Sequence, residues 1–373
     1  MNITYVSACL DSSGYAEAAR NHIAALDHVG VTVNVKAVSF EGYRSDLGRI
    51  GTLVQSLIGR NPEGDIQVLH LTPQNYKNLV KEDKYNIGYC AWETDRLPTD
   101  WVPMINQLQE VWVPSEHNKV AFEESGITVP VQVMPHPFET DLPEEESSET
   151  VVANVSHEDF VFYSIFQWTE RKNPLDLLKA YLTEFKRSDP VALVLKTYLV
   201  NPSNPQEANN IRNSIKAIKS KLYLKSYPKI LLISSLLSRA QIRALHNEGD
   251  CYVALHRCEG FGIPFVEAML AGNPVLATAY GGQEDFMGTQ DNIDYMMTPT
   301  YGMPWPLYTG DMKWAQPDVL DARRKMRRMF ENRDYAAATG AAGKNEVIEK
   351  LNYDVLGNRM KSRLEEIQKE LSK

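Results

Sequence analysis

Cysteine is scarce. Cys9, Cys90, Cys251 and Cys258 are the only four in 373 residues, too scattered for a disulfide framework and without a single C-x-x-C pair. No apolar run approaches the roughly 18 residues that cross a bilayer. The opening MNITYVSACLDSSGYAEAAR has neither the basic segment nor the apolar core of a secretion signal, so the expected location is cytoplasmic. Positive charge is in the minority: 39 Lys and Arg against 48 Asp and Glu leave a formal charge of −9. That disfavours an extended nucleic-acid surface, which relies on cations to release phosphate counterions. Two basic clusters, Lys216–Lys225 and Arg323–Arg328, fall on helix-periodic segments and read as solvated faces. Internal repeats, low-complexity tracts and Asp-x-Asp metal signatures are also missing.

What is present is alternation. Short β-branched runs at Ile3–Val6, Val31–Val38, Ile66–Leu71, Ile87–Trp92, Val111–Val113 and Val129–Met134 are interleaved with helical patterns. In Gly14–Leu26, Ala18, Ala19, Ile23 and Leu26 recur at helical spacing and Gly30 ends the segment. A Ser-, Pro- and acid-rich stretch, 141–158, reads as a connection between lobes. The pattern then restarts at Phe160–Phe166 and continues to Val275–Thr278, and the tail reads as a final amphipathic helix. About 150 residues per domain gives roughly two domains for this length. The expected architecture is α/β: two Rossmann-like doubly wound lobes, residues 1–150 and 151–352, with a helix at 353–373 and a ligand cleft at the strand ends.

CYVALHRCEGFGIPFVEAMLAGNPVLAT, residues 251–278, carries the chemistry. A strand runs into a loop holding Glu259, Gly260 and Gly262, and Pro264 stands at the expected first helical position, where its missing N–H costs nothing. The N–H groups of Gly262 and Ile263 then form a seat for phosphate. Phe265 replaces the third glycine of a dinucleotide fingerprint, which argues against a nicotinamide enzyme. Glu259 and Glu267 flank that seat, as suits a ligand with hydroxyls on both sides of a diphosphate; alternatively they are a loop charge and a first-turn acid. Cys251, His256 and Cys258 lack the paired spacing of a zinc site, so no metal is expected.

Glu259-GFGIPFV-Glu267 resembles the two-glutamate motif of retaining glycosyltransferases of GT-B architecture, glycosyltransferase family 4. SSGYAEAAR (12–20), GYCAWETDRLP (88–98), VWVPSEHNKVAFEESGI (111–127), FQWTERKNP (166–174), AYGGQED (279–285) and GMPWPLYTGDMKWAQPD (302–318) extend the resemblance over nearly the whole chain. It implies that the first lobe holds the acceptor, that the second holds a UDP- or GDP-linked sugar, and that the last helix crosses back to the first lobe. It also implies roles: Glu259 at the donor sugar, Glu267 at the ribose hydroxyls, Lys172 at the departing diphosphate, and Gly14 in the first-lobe loop near the phosphates. Phe261, Gly262, Ile263 and Gly282 would line the donor, and Leu237, with Leu236, the base.

The chain departs from that pattern twice. Phe166 and Gln167 stand where the family usually has an arginine, leaving Lys196 (preferred, as a strand-end residue) or Arg171 as the second cation. At the end of Ile87–Trp92 a family histidine is replaced by Trp92 and Glu93, candidates for stacking on a sugar and for orienting a hydroxyl; a buried Trp and a capping acid are the alternative. His136 reads as structural, and His70 as a strand-end residue near the acceptor. The resemblance implies retention of anomeric configuration and no metal or other cofactor. Two such lobes are compatible with a sugar, lipid-linked glycan, protein, small metabolite or modified nucleic-acid base as acceptor, and a soluble or polymer-linked glycan is the expected one. The first helix, whose one fixed cation is Arg20, disfavours a membrane lipid. An inactive nucleotide-sugar-binding homologue, or an epimerase or hydrolase of the same fold, are the alternatives.

Overall fold

The computed structural model describes residues 1–11, 13–39, 47–60, 62–140, 150–200, 204–300 and 307–373. Residues 141–149, the first half of the 141–158 connection, and the GMPWP start of the 302–318 motif lie outside them. Two compact units emerge. One comprises Met1–Pro143, Leu307–Met312 and Ile348–Lys373, and the other Glu144–Pro306 and Lys313–Val347. Leu307–Met312, expected in the second domain, is thus part of the first unit, as is the chain from Ile348.

In the first unit β1 (Asn2–Ser7), α1 (Gly14–His28), β2 (Thr32–Ala37), α2 (Gly48–Leu57), β3 (Ile66–His70), β4 (Tyr85–Tyr89), α3 (Trp101–Ile105), β5 (Glu110–Val113), α4 (Glu116–Glu124) and β6 (Val131–Val133) follow in order. The strands pair in parallel as β2-β1-β3-β4-β5-β6, so helices cover both faces and the strands read as apolar runs rather than alternations. Ser13 caps α1 by accepting from the Ala16 N–H. Arg20 turns inward: its guanidinium donates to the carbonyls of Cys9 (2.7 Å) and Asp11 (3.0 Å) and to Glu17. It therefore ties the loop after β1 to the helix instead of presenting a surface charge.

The second unit holds β7 (Phe160–Gln167), α5 (Pro174–Glu184), β8 (Val191–Tyr198), α6 (Pro205–Leu222), β9 (Lys229–Ile233), α7 (Arg239–Glu248), β10 (Cys251–Ala254), α8 (Ile263–Leu270) and β11 (Val275–Ala277). They form a parallel sheet ordered β11-β10-β7-β8-β9. An antiparallel pair, β12 (Tyr295–Pro299) with β13 (Lys313–Pro317), and the helices α9 (Val319–Glu331) and α10 (Arg333–Leu351) come after it. The α9 cluster is only in part a solvated face: Arg324 and Arg328 are exposed, whereas the others are half-buried and engaged. Arg323 and Arg327 both bind Glu184, Lys325 binds Asp321, Arg328 binds Asp291, and the Arg327 guanidinium lies 4.6 Å from the centre of the Phe185 ring. Arg323 and Arg327 thus dock α9 onto the end of α5. Among the described residues no helix is long and apolar enough to cross a membrane.

The last helix, α11 (Tyr353–Leu371), packs on α1 in the first unit. A Cβ at Gly357 would lie 2.6 Å from the Ala25 carbonyl oxygen, so only glycine lets the two helices approach this closely. Glu110, 0 % exposed at the start of β5, accepts from Trp112 Nε1 and Arg363 Nη2, each at 2.6 Å. Arg363→Met would strand that buried carboxylate. A loss of about 3–5 kcal/mol of stability is expected in denaturant unfolding; an unchanged midpoint would contradict this account of how the helix is held.

Candidate functional site

The loop between β10 and α8 is built around Glu259. Gly262, with φ +99°, ends the loop, and a Cβ there would lie 2.5 Å from the Phe265 ring. Ile263 is the first helical residue and Pro264 the second, one place later than expected; that N–H also lacks an intrahelical partner, so proline remains harmless. Three backbone hydrogen bonds hold the loop: Arg257 N–H to Arg171 O (2.8 Å), Gly282 N–H to Glu259 O (2.8 Å) and Ala315 N–H to Arg257 O (2.8 Å). Gly281, at φ +132°, must be glycine, because a Cβ would sit 2.5 Å from Glu259 O.

Neighbouring strands bring the cations in. β7 lies beside β10, and the β7–α5 loop delivers Arg171 and Lys172. Lys172 Nζ donates to both carboxylate oxygens of Glu259, to Oε1 at 2.8 Å, while Arg171 Nη1 donates to Oε2 and to Cys258 O, each at 3.2 Å. Burial opposes ionisation of Glu259, but Lys172 and Arg171 outweigh it and bring its pKa down to about 2. His256, pushed down to about 4 mainly by burial, stays neutral close by. Of the two candidates for the missing arginine, Arg171, next to Lys172 in the chain, meets Glu259 together with it. Lys196, preferred from sequence, is only 6 % exposed within β8, with its ammonium 5.6 Å from the centre of the Tyr198 ring.

Glu267 sits in the second turn of α8, not the first, so the helix N-terminus is not what keeps it charged. Arg239 Nη1 donates to its Oε1 at 3.1 Å, and His246 Nε2 lies 3.8 Å from its Oε2. Burial raises its pKa, and Arg239 and His246 more than reverse that. Arg239 escaped the sequence reading, although a cation in a helix's first turn, opposed by the dipole, is the signal that it has a partner elsewhere. Two of the expected donor-lining residues have partners of their own. The Phe261 side chain is buried against Phe286, and the Gly282 N–H is engaged by Glu259 O. Leu237 is nearly buried, whereas Leu236 is 52 % exposed.

In the first unit Gly14 opens α1 as expected. Trp92 offers no face to a sugar. It is 3 % exposed, stacked on Tyr308 and edge-on to Trp101, and its Nε1 donates to Thr94 and to Arg96 O. Glu93 accepts from Tyr308 OH at 3.1 Å, a partner 215 residues away that no local pattern reveals. His70 is buried rather than presented at the surface, with Nδ1 2.7 Å from Tyr5 OH. His136 joins it in a buried cluster with His22 and Tyr89. Among the described residues no group of three or more His, Cys, Asp or Glu is placed to hold a metal ion.

Residues 149–292 match the family model of glycosyl transferases group 1. No curated protein sequence matches the chain. Among solved structures, Anabaena Alr3699/HepE in complex with UDP-glucose is similar at 15% identity, with a TM-score of 0.69, over 98% of this chain and 100% of that one. Sucrose-phosphate synthase from Thermosynechococcus elongatus is similar at 13% identity, with a TM-score of 0.68, over 98% and 99%. The trehalose-6-phosphate synthase OtsA is similar at 10% identity, with a TM-score of 0.64, over 98% and 99%. The fold is GT-B, with two Rossmann-like parallel-sheet units.

Two outcomes follow from the geometry. Gly281→Ala forces a Cβ against Glu259 O at a positive φ, and should lower stability to denaturant by about 1–3 kcal/mol. Burial drives the pKa of His136 down to about 3, and those of His22 and His70 well below the usual histidine value. The unfolded chain therefore binds more protons than the native one from about pH 6.5 down to about pH 3. Stability should fall across that window on acidification, and His136→Gln should flatten part of the slope. An identical slope in that variant would contradict the assignment.

Proposed function

We propose that the chain is a retaining glycosyltransferase of family 4, moving a hexosyl group from a nucleotide sugar to a hydroxyl of a glycan. One observation carries the reading. Within the segment that matches the glycosyl transferases group 1 model, Glu259 is held against Lys172 and Arg171 at the start of α8. The similar HepE structure contains UDP-glucose, which supports a uridine diphosphate sugar as the first donor to test.

In this reading the diphosphate enters where Lys172 and Arg171 converge and where the backbone N–H groups of Gly262 and Ile263 open the helix. The bond between the anomeric carbon and the diphosphate oxygen breaks first, leaving an oxocarbenium-like sugar. The acceptor hydroxyl attacks the face from which the diphosphate departs, so configuration is retained. Its proton passes to a diphosphate oxygen, and the products are the glycosylated acceptor and the nucleoside diphosphate. Glu259 contacts the donor sugar and need not be a covalent nucleophile, and Glu267 takes the ribose hydroxyls. The two side-chain cations and the helix N-terminus stabilise the leaving group without a metal ion. Glu93, held by Tyr308, is the carboxylate proposed to orient the acceptor.

Each charge-assisted hydrogen bond to the leaving group is worth roughly 1.5–3 kcal/mol. Lys172→Ala should therefore slow transfer or donor hydrolysis by about 10²-fold or more. Thermal stabilisation of the protein by UDP, GDP, ADP and TDP and their sugars identifies the base. A Lys172→Ala enzyme with unaltered rate and donor affinity would overturn the assignment.

A further inference from the structure

Helix α7 faces the ribose-binding carboxylate with two residues that nothing in the motif specifies. Arg239 and His246 are seven residues apart, two helical turns, and so share one face of α7. Arg239 reaches Glu267 Oε1 (3.1 Å) from the solvent side; His246, 2 % exposed, stands beside Oε2 on the buried side.

The protonation of His246 can be read from its neighbours. Asn273 Nδ2 is a donor only, and it donates to Tyr163 OH at 2.9 Å. The Tyr163 hydroxyl, 2.8 Å from His246 Nδ1, can then give its own hydrogen to that nitrogen. The imidazole proton is left on Nε2, the nitrogen facing Glu267. That nitrogen is buried and makes no hydrogen bond among the described residues; Glu267 Oε2 is 3.8 Å away. A chain of donors, Asn273 to Tyr163 to His246, thus ends in an N–H directed at the carboxylate.

We propose that Arg239 and His246 are positioning residues that hold Glu267 in the orientation for a vicinal diol, making α7 the element that selects ribonucleoside over deoxyribonucleoside diphosphates. A carboxylate has about four lone-pair directions. Arg239 occupies one on Oε1 and His246 faces one on Oε2, which leaves two for the neighbouring 2′ and 3′ hydroxyls. A nucleotide lacking them would leave a buried charge short of two donors, the situation in which discrimination is steepest. The inference rests on Glu267 being the ribose-binding residue.

The test compares dissociation constants of UDP and GDP with those of their 2′,3′-dideoxy counterparts, for the unaltered protein and for Arg239→Ala, His246→Phe and His246→Gln. The unaltered protein should prefer the ribonucleotide by about ten-fold or more. Arg239→Ala and His246→Phe should reduce that preference several-fold by weakening the ribonucleotide alone. His246→Gln, which keeps an N–H donor, should restore part of it. Because the readout is a ratio within each variant, a general loss of folded protein does not mimic the effect. Equal weakening of both nucleotides, or an unchanged ratio in both Arg239→Ala and His246→Phe, overturns the role of α7. Binding without preference overturns the ribose-binding reading of Glu267 itself, and failure of the unaltered protein to bind any of the four overturns a uridine or guanosine diphosphate donor.

Discussion

A buried carboxylate between two cations organises the second unit. Glu259 cannot be ionised in the interior on its own, and Lys172 and Arg171 cannot be drawn toward it without an anion to meet them. The interaction joins the β7–α5 loop to the β10–α8 loop, and parallel strand order makes it available, because β7 and β10 are neighbours in the sheet although some 80 residues separate their loops. In the proposed reaction the two cations would supply the positive charge a diphosphate needs, already desolvated on one side. A ligand with more negative charge than a single carboxylate can take over these donors without the protein having to assemble them.

The surroundings of this pair follow from the same requirement. Gly281 and Gly262 are glycines because backbone runs against backbone, or against a ring, at positive φ. The Arg171 carbonyl takes the Arg257 N–H and the Glu259 carbonyl takes the Gly282 N–H, so the loops lock through main-chain atoms before any side chain acts. Glu267 depends on the same logic at smaller scale. Arg239 offsets its charge from one side, and the chain of hydrogen bonds through Asn273, Tyr163 and His246 comes to it from the other. In the first unit the electrostatic lock has a different purpose: Arg363 neutralises Glu110 and so anchors the last helix to β5 while Gly357 lets it settle on α1.

By itself the sequence determined the α/β alternation, the parallel sheets implied by it, and the two-glutamate loop with its glycines, because these are encoded in residues close together and in periodicity that burial enforces. Lys172 was marked only by the resemblance of FQWTERKNP to a known family. Only the tertiary structure decided that Arg171 and Lys172 both meet Glu259, since that depends on which strand lies beside which. Tertiary packing likewise decided that Trp92 is covered by Tyr308, that Arg323 and Arg327 dock α9 on α5, and that Arg239 and His246 stand on either side of Glu267. Each of these is a pairing between residues distant in the chain, selected by the need of a buried charge or ring for a partner. Local pattern carries no information about which distant residue will supply it.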